Sequence, residues 1–249
     1  MAEGGALGIV VLIVFIGLML GFFFIGRRWP VSFRSLKGYE ALAVELERAV
    51  ESGERVHLSL GTGTVIGQES APALAGLTIL ARLASSTAMS DKPVIASTSD
   101  GAMSILAQDT LASSYRKVGA STRYDYTSGR MIGPTPFSYA AAIPNLLDTE
   151  EVSVHLMSGS FGLEGALAAD FGQRENAFVL AGTSDVQAQA LLYATADYPL
   201  IGEEIFVGGA YLDMGQMHDA SLRTQDVIRF VMIGLIMIGI FLKTIGVIH

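Results

Sequence analysis

The segment at residues 55–67, RVHLSLGTGTVIG, does most to limit what this chain can become. A short apolar run closed by glycines at 61, 63 and 67 reads as a buried strand entering a tight turn. The pattern returns at residues 152–162, VSVHLMSGSFG. After each copy comes a helical stretch, then an apolar strand, then Thr-Ser-Asp opening a further helix. The second strands are PVIASTSD at 93–100 and AFVLAGTSD at 177–185. Strand, helix and strand joined by short connections make parallel βαβ units. The expected fold is therefore α/β: a Rossmann-like parallel sheet built from two βαβ half-repeats, about 54–118 and 151–213, with a transmembrane helix on either side.

Local signals fill in this plan. Tyr39, Leu42, Ala43, Leu46, Ala49 and Val50 recur at helical spacing, so a helix is expected over 38–52, with its glutamates on a solvated face. An alanine-rich helix follows over 69–88, where Pro72 is tolerated in the first turn. Asp100 and Asp185 each precede a helix and suit an N-cap. Residues 119–143 break the pattern, being rich in Gly, Ser, Thr, Pro, Tyr and Arg. They are expected to form a long loop with subunit or partner contacts, followed by a short helix over 138–146 that Pro144 interrupts. A last short strand is expected at 205–207.

Both ends are apolar. Residues 6–26 carry no charge and are long enough for a bilayer. A cleaved signal peptide has a positive start, whereas here Glu3 precedes the span and Arg27, Arg28, Arg34 and Lys37 follow it. A retained anchor is expected, occupying 1–30, with Trp29 at interfacial depth and Gly17 and Gly21 available for close helix packing. Residues 227–249 form the second expected span, with Arg229 and Lys243 snorkelling. Positive residues stay in the cytoplasm, so the central domain, 31–226, is expected there with both termini outside, in an inner or plasma membrane.

That central domain has 12 Lys/Arg against 23 Asp/Glu. Such an acidic body repels phosphate backbones, so no nucleic-acid partner is expected. The chain has no cysteine, which excludes disulfides, thiolate metal sites and a cysteine nucleophile.

Chemistry has few places to reside. The turn Gly61-Thr62-Gly63 through Gly67 lies between a strand and a helix, the setting of a phosphate loop, with Asp100 near the place of a ribose partner. Ser158 and Gly159 occupy the matching turn. These residues, Gly61, Thr62, Gly63, Gly67, Asp100, Ser158 and Gly159, are the candidate ligand-binding set. The spacing GxGxxxG departs from the dinucleotide fingerprint and no Lys-Ser/Thr follows, so a tight structural turn is the favoured reading. His57 and His155 stand at equivalent strand positions and would meet if the strands are neighbours. No third ligand accompanies them, so structural histidines are expected, with no metal. Ser59, Ser158, Ser160 and Glu164 gather around the turns, but no GxSxG elbow is present.

The apolar first span, RRWP, the helix FRSLKGYEALAVELERAVESG, VHLSLGTG and AGLTILA together resemble an uncharacterised family of prokaryotic two-span integral membrane proteins carrying a domain of unknown function. The resemblance covers most of the chain and implies a Rossmann-like core in a membrane protein. It brings no catalytic residues.

The expected function is a membrane-anchored structural or scaffolding protein that forms a homo-oligomer through its α/β domain, without cofactor. Its partners would be the lipid bilayer, further copies of itself and other membrane-complex subunits. The alternative is a membrane-tethered nucleotide- or phosphometabolite-binding protein, with an enzymatic role left open.

Overall fold

A computed structural model describes residues 2–26, 34–67, 69–212 and 216–245. In chain order the elements are α1 (Ala2–Gly26), α2 (Lys37–Ser52), β1 (Arg55–Gly61), α3 (Ser70–Thr87), β2 (Ile95–Thr98), α4 (Gly101–Lys117), β3 (Gly129–Met131), α5 (Pro136–Thr149), β4 (Val152–Ser160), α6 (Glu164–Arg174), β5 (Phe178–Gly182), α7 (Val186–Thr195), β6 (Tyr198–Leu200), α8 (Gly208–Tyr211) and α9 (Gln216–Thr244). The chain divides into a sheet unit, Ser35–Leu212, and a helical unit formed by its two ends.

All six strands are parallel, in the order β3-β2-β1-β4-β5-β6. The chain winds outward from β1 to β3, returns through α5 to β4 beside β1, and winds outward again to β6. Side chains alternate between two covered faces, as a parallel sheet requires. Leu58, Leu60, Val154, Leu156 and Leu180 pack under α2, α3 and α4, with Leu42, Ile79, Leu83 and Leu111 among their neighbours. Ile95, Met157, Val179 and Ala181 pack under α5, α6 and α7, with Ile143, Leu147, Ala169 and Leu192.

Three expectations are corrected. The long loop contains an edge strand, β3, whose Ala96–Gly129 and Thr98–Met131 pairings extend the sheet beyond β2. Gly129 fits there because a Cβ would lie 3.0 Å from the Gln108 backbone nitrogen. After it, Thr135 and Ser138 form a capping box and Pro136 opens a continuous helix that runs through Pro144 to Thr149. Ile143, Leu146 and Leu147 bury one side of α5 around that proline, which offsets the hydrogen bond it removes. The last strand lies at 198–200 and includes Pro199, and residues 202–206 form a 3-10 turn where a strand was expected. Proline is acceptable there because β6 is an edge strand.

In the helical unit, α1 and α9 pack together, with Phe15 of α1 lining a groove against Ile228, Met232, Ile233 and Ile236 of α9. Met217–Thr244 is long and apolar enough to cross a membrane. The described apolar stretch of α1, Gly8–Phe24, is shorter. The expectations for Arg27, Arg28 and Trp29 lie outside the described residues.

Candidate functional site

The two glycine-bearing turns come together at the carboxyl ends of β1 and β4. Gly61 has φ +72°, and a Cβ on it would lie 2.1 Å from the Ser160 carbonyl oxygen and 2.8 Å from the Phe161 ring. Thr62 N–H donates to that same Ser160 carbonyl at 2.8 Å, and Ser99 N–H donates to the Gly61 carbonyl at 2.9 Å. A Cβ on Gly63 would lie 2.8 Å from Ala73 Cβ and 3.1 Å from Ser160 Cβ. On Gly159 it would lie 2.0 Å from the Leu60 carbonyl oxygen. These three glycines admit the chain's own backbone and side chains, and that packing alone accounts for them. Gly67 differs: it has φ +110° and open space around it. Its glycine serves a left-handed turn in the exposed loop before α3.

Asp100 joins this edge from β2, where its carboxylate accepts Met103 N–H at 2.8 Å and caps α4. Asp185 does the same for α7, accepting Ala188 N–H at 2.7 Å. Each aspartate also donates its own N–H to a threonine two residues earlier, Thr98 or Thr183. At the second turn Glu164, only 5% exposed, folds back so that Oε1 accepts Gly162 N–H at 2.9 Å. Its carboxylate thus supplies negative charge in the first turn of α6, where an external anion would otherwise be favoured.

Below the turns runs a buried polar chain. His57 Nδ1 meets His155 Nδ1 at 2.8 Å, and His57 Nε2 meets Ser97 Oγ at 2.8 Å. Tyr139 O–H, reaching down from α5, contacts Ser97 Oγ at 2.7 Å and Ser59 Oγ at 2.5 Å. All five residues are fully buried. Period-two alternation places them: His57 and Ser59 point to the same face of β1, and Ser97 pairs with Ser59 across β2. His155 is the register partner of His57 on β4, and their rings stack with centroids 4.9 Å apart. Gly172 of α6 lies over His155, where a Cβ would be 3.1 Å from its ring.

Proton placement follows from this geometry. His155 Nε2 has no hydrogen-bond partner among the described residues. A buried lone pair costs less than a buried, unpaired N–H. His155 therefore carries its proton on Nδ1 and donates to His57, which then donates from Nε2 to Ser97. Burial pushes the His57 imidazole well below its ordinary range, reinforced by His155 and by the positive charge of Arg130. Burial alone lowers His155 to about 3. Tyr139 is pushed up to about 12 by burial, against the opposing pull of its serine partners. Both histidines are neutral at physiological pH.

Ser97, His57 and His155 follow one another as a catalytic triad would, but the proton directions are reversed: His57 Nε2 donates to Ser97 Oγ and so is no base for it. Ser97 is also fully buried, and Tyr139 O–H occupies its open side. The five residues form a buried polar seam between β1, β2, β4 and α5, with His155 Nε2 at its unpartnered end among the described residues. Sequence reasoning reached the two histidines and Ser59 but missed Ser97 and Tyr139. The alternation of Ser97 with Ile95 along β2 was the available signal for the first. Tyr139 falls where the expected loop, 119–143, and the expected helix, 138–146, overlap.

Over residues 4–249 the chain matches the model of a family described as a domain of unknown function (DUF6754), and it belongs to that family. No curated protein and no solved structure matches it.

Proposed function

We propose that this member of the DUF6754 family is a membrane-anchored structural or scaffolding protein. Its Rossmann-like unit, two half-repeats opening at β1 and β4, self-associates on the cytoplasmic side of the membrane. The carrying observation is the occupancy of the glycine turns by the chain itself. Gly61, Gly63 and Gly159 are filled by Ser160, Ala73 and Leu60, and Glu164 sits in the first turn of α6. A phosphate cradle needs backbone N–H groups and space that here serve internal packing. The polar groups with catalytic spacing are sealed beneath α5.

Two features support the anchored part. α1 and α9 are both strongly apolar and present side chains such as Phe24, Phe230 and Leu235 outward, as helices in lipid do. Arg27 and Arg28 follow the first span in sequence, which favours a cytoplasmic sheet unit. Other membrane-complex subunits are further partners of the same kind.

A second reading keeps one observation in its favour. β1 and β4 lie where the strand order reverses, and α/β sheets bind ligands at the carboxyl ends of such strands. There the protein would hold a nucleotide or phosphometabolite, with Gly67 and the loop before α3 as the open part of the site. A thermal-shift screen of the full chain in detergent, with NAD(P), ATP and sugar phosphates at millimolar concentration, separates the two. The scaffold reading predicts no shift. A saturable shift abolished by altering the loop at Gly67 would establish the second reading.

A further inference from the structure

We draw no further inference here: the strongest candidate, the pocket at the amino end of β4 where Glu54, Asp148, Glu151 and Glu175 gather beside Asn176, carries nothing because it is an acidic cluster in which Glu151 already pairs with Lys92, and no second feature among the described residues points to a cation there.

Discussion

His57 and His155 face each other, Nδ1 to Nδ1 at 2.8 Å, across the seam where β1 pairs with β4. One proton lies between them, and a second has no acceptor to meet. Protonating either ring puts a cation into a fully buried layer: on His57 it turns the shared contact into two opposed donors, and on His155 it places an N–H at Nε2, which has no acceptor among the described residues. The seam that joins the inner strands of the sheet is therefore held by neutral imidazoles.

Acid should loosen this seam. Both histidines have folded values below the ordinary 6.5, His155 at about 3. The unfolded chain gains protons as pH falls through about 6.5 while the folded chain does not. Stability is thus fully present above that pH and declines below it, by roughly 2 kcal/mol between pH 7 and 5 from His155, with His57 adding a loss in the same direction. Amide exchange of β1 and β4, compared at those two pH values after correction for intrinsic rates, reads the loss. Equal protection at both would contradict the neutral pair. The depressed carboxyls of Asp125 and Glu151 stay ionised across this window and do not compete with the signal.

Removing one hydroxyl from the polar chain should be costly. Tyr139→Phe keeps the ring under α5 but leaves the Ser59 and Ser97 hydroxyls, both fully buried, short of a partner. A loss of about 1–3 kcal/mol is expected in urea titrations of the detergent-solubilised protein. An unchanged midpoint would mean the chain is not needed for stability.

The glycines should rank by what surrounds them. Gly159→Ala drives a Cβ to 2.0 Å from the Leu60 carbonyl, and Gly61→Ala combines φ +72° with a 2.1 Å clash against Ser160. Both are expected to abolish folding or displace β1 from β4. Gly67→Ala meets open space and costs only its left-handed conformation, about 1–2 kcal/mol. A similar cost at all three positions would argue that the turn has a role other than packing.

The aspartates should behave as a matched pair. Asp100→Ala and Asp185→Ala each remove one helix cap, for about 1 kcal/mol apiece. A much larger effect at Asp100, or a loss of ligand-induced stabilisation there, would point back to a ribose contact.

How much of this was legible in the sequence depended on whether local pattern or tertiary contact decides an element. The parallel sheet followed from the spacing of the VHL strands and their Thr-Ser-Asp successors, because βαβ chemistry is local. β3 was not legible: three residues, Gly129–Met131, form a strand only because β2 offers an edge. α5 was read as interrupted because Pro144 disfavours helix locally, while Ile143, Leu146 and Leu147 decide the matter by burial. At the candidate site, the glycines announced a tight turn without saying what fills it. The answer lies in Ser160, Ala73 and Leu60, contacts made between β1, α3 and β4. Tyr139 could not be assigned to the histidines, since its place depends on how α5 crosses the sheet.

The native mass of the protein extracted from membrane with its surrounding lipid tests the central claim most directly. A self-associating scaffold is expected to appear as an integral multiple of the 26.3 kDa chain, at two copies or more, without added ligand. A single 26.3 kDa species across the accessible concentration range would contradict it.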